Sequence, residues 1–396
     1  MPVTWTLLIV LALAAAGFFL GRSRVLAAAQ GDSRKLHSRT SYYGWNIALF
    51  TAVPALFLIA IWSFAQPDVN RTVLAGVALI LAAAGMGWAL SRTAPDFRAR
   101  NVVETFVRFL LILCSSIAIL TTAGIVLSML FETGHFFQQY PWQDFLFGTT
   151  WSPRFGGGSQ LGILPLVWGT LYISLIALAV SIPIGLFAAI YMSEYASPRL
   201  RSIAKPAIEV LAGIPTIVYG LFALITVGPM LRDYFAQPLG LGSSGSSVMT
   251  AGLVMGIMLI PFVSSLSDDI INAVPQSLRD GALGLGSTPS ETVRKVVLPA
   301  ALPGIVGAIL LAASRAIGET MIVVLGAGAS AQMSLNPFEA MTTITVKIVS
   351  QLTGDTDFAA PETLVAFALG ITLFIVTLGL NIVALYIVRK YREQYE

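Results

Sequence analysis

Apolar positions in this chain come in long unbroken runs, with neither the stripe of a surface helix nor the alternation of a half-buried strand. Nine such runs occupy residues 3–20, 45–65, 72–90, 107–131, 163–191, 207–231, 248–267, 301–328 and 362–388. They are rich in Leu, Ala, Gly and Ile, and most reach the roughly 20 residues a helix needs to cross a bilayer. A transmembrane barrel would show weak alternation over about ten residues instead. The pattern predicts an all-α polytopic membrane protein with nine spanning helices.

Composition agrees: 56% of residues are hydrophobic and 11% charged, against about 25% charged in soluble domains. Mean hydropathy is +0.81. Cys114 is the one cysteine, which excludes an intramolecular disulfide and a thiolate metal cluster. His37 and His135 lack ligand-like neighbours and read as surface residues. No metal site and no catalytic residue is expected.

The net charge of +3 matters less than its placement. With the C-terminal VRKYREQYE in the cytoplasm and the spans alternating, eighteen of the 23 Lys and Arg residues fall inside, and Arg71, Arg154, Arg232 and Lys347 fall outside. Arg315 is left within a span. This topology puts the N-terminus outside, as an anchor rather than a cleaved leader, because MPVTW has no basic start. The small residues near 13–17 are the argument for cleavage.

The joint at 267–299 has the most local structure. QSLRDGALGL reads as a short helix carrying Arg279 and Asp280. Gly286 can turn at positive φ at little cost. Thr288, Pro289 and Glu291 then stand in helix-start order as N-cap, first helical residue and capping-box partner. VRKVVL continues the helix until Pro299 stops it. Such a joint reads either as an interfacial helix on lipid headgroups or as a docking element, and its specific spacing favours docking. GALGLGS follows no strand, so it is a poor dinucleotide fingerprint. GGGS at 156–159 reads as a flexible turn. The chain has no G-x-x-x-x-G-K-[ST] and so no P-loop of its own.

Two further features lie within spans. Arg315 and Glu319 occur in ILLAASRAIGETMIVVLG, where a mid-span arginine costs about 3 kcal/mol or more on insertion scales. Their i, i+4 spacing predicts a pair on one helix face. That pair is either a structural lock or an anion path with Arg315 as donor fork; the path is favoured. In LAGIPTIVYG, Gly213 and Pro215 interrupt span 207–231 before Thr216. Such breaks either kink a helix or present half-helix N–H groups to a ligand. Pro165, Pro183 and Pro261 read as kinks only, and Glu209 as interfacial.

The 280–299 segment resembles the EAA loop of binding-protein-dependent ABC importer permeases. Asp280, Gly281 and Ala282 stand at the loop's Glu-Ala-Ala opening, Gly286 at its glycine, and Val296, Leu298 and Pro299 at its close. Asp for Glu and Gly for Ala are departures that keep charge sign and small size. With WSP near 152, LAGIPTIVYGLF at 211–222 and SRAIGETM at 314–321 in the same order, residues 105–396 resemble the PstC-type permeases of phosphate-specific transport. The resemblance implies a six-span type I ABC importer permease domain at 105–396, preceded by a 1–104 extension of about three helices. It implies a bacterial inner-membrane location. The implied partners are a second related permease, an ATPase dimer docked on the 280–299 loop, a periplasmic phosphate-binding protein and membrane lipid, with no nucleic acid. ATP and Mg would belong to the partner ATPase, and no cofactor to this chain. The family's intramembrane Arg and Glu carry over to Arg315 and Glu319. The alternatives are a permease for sulfate, molybdate or another oxyanion, a proton-coupled secondary transporter using Glu319, and a non-transporting scaffold. A secondary transporter would carry inverted repeats and no ATPase socket, and a scaffold has no need of a mid-span arginine.

Overall fold

The computed structural model describes residues 3–65, 71–154, 157–354 and 360–392. Most of the QPDVNR joint, two residues of the WSPRFGGGS loop and the last residues of the C-terminal tail lie outside that set. Within it, nine helices are long and apolar enough to span a membrane. Among the described residues the fold is all-α apart from one two-residue strand pair.

The chain groups into two compact units, Met1–Ala123 and Gly124–Glu396. The first holds α1 (Val3–Ala28), α2 (Thr40–Ala65), α3 (Arg71–Ser91) and the first part of α4 (Ala99–Gln139). Helix α1 runs past the expected end at residue 20 and takes Arg22 and Arg24 with it. Val10, Ala55, Ile59, Ala78 and Ala82 form the shared core of α1 to α3. The buried Tyr43 hydroxyl donates to the Pro95 and Phe97 carbonyls, both 2.9 Å away, tying α2 to the segment before α4. The division expected at residues 104/105 falls inside α4, as does the boundary at 123/124.

The second unit begins within α4 and continues through α5 (Trp142–Phe147) and the hairpin strands β1 (Trp151–Ser152) and β2 (Gln160–Leu161). Phe136, Phe145, Trp151 and Leu161 pack these pieces into one cluster with Leu364 and Leu369. Helix α6 (Leu164–Ile190) ends in a π-turn at Tyr191–Tyr195. There follow α7 (Pro198–Ala212), α8 (Thr216–Phe222), a π-turn, α9 (Gly228–Leu231), a second π-turn at Arg232–Ala236, and α10 (Val248–Ala273). Helices α6 and α10 are the central pair, where Ile173 and Ala177 meet Val254, Met255 and Met258. Pro183 and Pro261 lie inside these two helices, whereas Pro165 sits in the first turn of α6, where no N–H is needed.

The remainder is α11 (Gln276–Gly284), α12 (Pro289–Thr292), a π-turn at Val293–Val297, α13 (Leu298–Ile317), α14 (Met321–Gly326), α15 (Ile344–Gly354) and α16 (Pro361–Arg392). Three expectations need correction. Pro299 does not stop the helix: Leu298 N–H bonds to Val293 O, an i−5 bond, and the π-turn makes room for the ring that a proline would press against the preceding turn. The run 301–328 is not one span, because Gly318 caps α13 and the chain turns before α14. The run 207–231 breaks at Gly213–Pro215 as expected, but its first residues belong to α7 and the spanning segment is Thr216–Ala236.

Candidate functional site

Two regions of the second unit carry the residues singled out from sequence. The first is the joint between α10 and α13. Helix α11 closes with a paired C-terminal turn, in which Gly286 N–H bonds to Leu283 O at 2.9 Å and Ser287 N–H to Ala282 O at 3.2 Å. This Schellman arrangement needs a left-handed residue, and Gly286 supplies it with φ of 88°. Thr288 then caps α12 in a complete capping box: its hydroxyl accepts from Glu291 N–H, and the Glu291 carboxylate accepts from Thr288 N–H at 3.1 Å. Ala282 and Val297 are buried, while Asp280, Gly281, Gly286, Thr288 and Pro299 are exposed. Leu285 at the tip is 91% exposed.

What holds this joint was not read from sequence. The Arg279 guanidinium donates to the Ile271 and Val274 carbonyls at the end of α10 and to Glu194 in the π-turn after α6. Beside it, the fully buried Asp268 carboxylate accepts from Arg201 and Lys205 of α7, each at 2.9 Å, and from Asn272. Burying a lone carboxylate is costly, so the two cations that partner it fix α7 against α10. The one signal in the sequence is complementarity of charge: Asp268 and Asp269 follow one apolar run, and Arg201 and Lys205 lie in a joint assigned to the same side.

The second region is where two helices restart. Tyr219 O–H donates to Leu211 O at 2.8 Å and satisfies a carbonyl at the end of α7, across the Gly213–Pro215 break. Helices α8 and α14 then run side by side in the same direction, Tyr219 and Ala223 packing with Ile322 and Val323. Their approach is close: a Cβ on Gly220 would lie 2.8 Å from Met321 O. The structure thus brings Thr216 and the Arg315–Glu319 segment to the starts of two neighbouring helices.

The expected Arg315–Glu319 pair does not form. Gly318 ends the helix between them, so the i, i+4 geometry is lost. One Glu319 oxygen instead accepts from the N–H groups of Thr320, Met321 and Ile322 at 3.0, 3.0 and 3.4 Å, capping α14 with negative charge. Arg315, in the last turn of α13, places its guanidinium 5.8 Å from the centre of the Phe262 ring. It has no carboxylate partner among the described residues. No group of His, Cys, Asp and Glu able to hold a metal ion occurs among the described residues.

Comparison with known proteins places the chain. Residues 181–393 match the family described as binding-protein-dependent transport system inner membrane component, and residues 7–73 match one described as phosphate ATP-binding cassette transporter. A phosphate transport system permease protein PstC 1 from Mycobacterium bovis is 36% identical over 252 residues, covering 59% of this chain and 74% of the relative. PstC proteins from Mesorhizobium japonicum and Xylella fastidiosa are 33% and 32% identical, covering 62% and 74% of this chain and 78% and 92% of theirs. A solved MetNI methionine ABC transporter chain aligns over 58% of this chain and 94% of its own, with 19% identity and a TM-score of 0.42. With more than half its length matched by one family and relatives above 30% identity over most of theirs, this chain belongs to the inner-membrane permease components of binding-protein-dependent ABC transport systems, with nine candidate spans among the described residues and a transport rather than an enzymatic role.

Proposed function

We propose that this chain is the permease subunit through which an ABC importer moves inorganic phosphate into the cytoplasm, driven by ATP hydrolysis in a separate ATPase. The observation that carries the reading is Arg315. It is an exposed guanidinium with no carboxylate partner among the described residues, next to the point where α13 ends and α14 begins. An unpaired arginine within an otherwise apolar region is expensive unless an anion visits it, and its planar fork suits phosphate oxygens. Glu319, already committed to the start of α14, holds the segment in place. Gly213, Pro215 and Thr216 lie at the neighbouring break and form the other wall of the path. The relatives' names supply the ligand: they are phosphate transport permeases.

The α11–α12 joint is the ATPase socket in this reading. Its surface offers Asp280, Gly281 and the bare Leu285 side chain, while Arg279 anchors it from beneath. Closure of an ATPase dimer, with its own ATP and Mg, would push this lever against α10 and α13. A second related permease would complete the path, and a periplasmic binding protein would deliver the anion. In this reading the joint and the C-terminus are cytoplasmic and the N-terminus periplasmic, the orientation that the Lys and Arg distribution favours.

The test is uptake of labelled phosphate into proteoliposomes holding this chain, its partner permease and the ATPase, with binding protein outside and ATP inside. ATP-dependent uptake that excess sulfate or molybdate leaves intact supports the assignment. An assembled complex that moves another oxyanion and not phosphate keeps the permease role and rejects the ligand.

A further inference from the structure

The N-terminal unit holds a groove that none of the residues of the proposed transport path line. It lies between α2 and the first turns of α4, has a volume of about 590 Å³, and is lined by Asn46, Phe50, Pro54, Asn101, Phe106 and Phe109 among others. That is within the range of ligand sites, roughly 300–1,000 Å³. The groove has a direction. Asn46 and Asn101 lie near the starts of their helices, and Pro54 and Phe109 lie eight residues further along each. Eight residues of helix make about 12 Å of apolar wall, the length of much of an acyl chain.

The polar end is incomplete as it stands. Asn46 is 2% exposed, and its Oδ1 is buried with no hydrogen-bond partner among the described residues. A buried amide oxygen left unpaired costs about 1–3 kcal/mol, so this atom asks for a donor. The same end carries positive charge. Arg39 is the exposed residue immediately before α2, and Arg98 the exposed residue immediately before α4, so both sit at the helix starts from which the groove runs. Arg98 precedes Asn101 by three, and its carbonyl accepts the Asn101 N–H at 3.1 Å. Neither arginine has a carboxylate partner among the described residues, whereas Arg100 is held by Glu104 at 2.5 Å.

We propose that this groove binds one anionic glycerophospholipid of the phosphatidylglycerol type. The phosphate faces Arg39 and Arg98, the headgroup glycerol folds back beneath it so that one hydroxyl donates to Asn46 Oδ1, and one acyl chain lies along Phe50, Pro54, Phe106 and Phe109. A choline headgroup supplies neither net negative charge nor a hydroxyl, so phosphatidylcholine is the discriminating control.

The full chain is reconstituted in nanodiscs of equal phosphatidylglycerol and phosphatidylcholine, and retained lipid is counted by native mass spectrometry after mild extraction. The expected result is one phosphatidylglycerol kept at least tenfold over phosphatidylcholine. Asn46→Leu should cut that retention at least fivefold, and the Arg39→Gln, Arg98→Gln double variant should bring the two lipids to parity. Should Asn46→Leu fail to fold, Val102→Trp fills the groove from its other wall and should expel the lipid equally. Equal retention of both lipids by the wild type, or phosphatidylglycerol kept by the filled variant, overturns the proposal. So does a photo-crosslinker at Phe109 that captures polypeptide in place of lipid.

Discussion

Arg279 Nη2 lies 2.9 Å from Glu194 Oε1, and each side chain is only 12% exposed. The two residues are 85 positions apart. Their pairing clamps the start of the α11–α12 joint to the end of the α6 span, while two further donors on Arg279 close off the last carbonyls of α10. Removing the guanidinium strips a mostly buried carboxylate of its cation and leaves it only the Ser193 hydroxyl, which costs about 3–5 kcal/mol. Arg279→Ala should therefore lower the melting temperature in detergent and release the ATPase from membranes. Arg279→Lys keeps the charge but not the fork, and should recover only part of both. A lysine variant equal to wild type would show that charge alone holds the lever.

The Asp268 cluster predicts a pH dependence. The Lys205 amine donates to Asp268 at 2.9 Å and to Asp269 at 3.1 Å. The Asp268 hydrogen bond, more than any other cause, holds its pKa above the ordinary 10.5. A raised folded-state value means the contribution is fully present below the ordinary lysine pKa and is lost as pH rises through the raised one. The melting-temperature gap between wild type and Lys205→Met should stay constant at neutral pH and close only in strong alkali. Asp268→Asn should cost about 1–3 kcal/mol. That is less than a sealed pair would lose, because Arg201 and Lys205 are about a third exposed and can rehydrate. A gap that already closes near pH 8 would place the stabilisation elsewhere.

Local chemistry was legible in the sequence, and tertiary chemistry was not. The Gly286 turn and the Thr288–Glu291 capping box form as their spacing requires, because each is decided within four residues. The number of spans was legible from apolar length, but not the bounds of those read at 207–231 and 301–328, which the structure sets at Thr216–Ala236 and Pro289–Ile317. Pro299 misled because a π-turn relieved it, and such turns have no sequence signature strong enough to anticipate. Arg315 and Glu319 misled because the pairing assumed a continuous helix, and Gly318 with the Thr320 turn breaks it. Arg279–Glu194 and Lys205–Asp268 join residues 85 and 63 positions apart; no local pattern could specify those partners.

Gly286 offers a test of the lever that leaves its anchors intact. Its φ of 88° is left-handed, and nothing lies within 4 Å of where a Cβ would stand. A side chain there meets no steric wall but strains the backbone by about 1–2 kcal/mol. Gly286→Ala should loosen the turn and weaken ATPase capture modestly. Gly286→Asp adds a charge on the exposed face and should abolish capture. Pull-down of the ATPase from membranes holding each variant at equal level reads the difference, and undiminished capture by the aspartate variant would remove this turn from the docking surface.

Arg315 and Glu319 should separate as ligand contact and scaffold. Arg315 has an aromatic neighbour, Phe262, and no carboxylate partner among the described residues. Arg315→Ala should abolish phosphate uptake while leaving folding and ATPase binding unchanged. Glu319 is bound to three backbone N–H groups at the start of α14. Glu319→Gln keeps an acceptor oxygen and should retain most stability, whereas Glu319→Ala leaves those N–H groups without it and should cost about 1–2 kcal/mol, as loss of a cap does. Uptake in proteoliposomes and melting temperature, measured on the same preparations, distinguish the two roles. Normal uptake by Arg315→Ala in an assembled complex would take the anion path away from this arginine, and a Glu319→Ala variant as stable as wild type would deny the cap its structural weight.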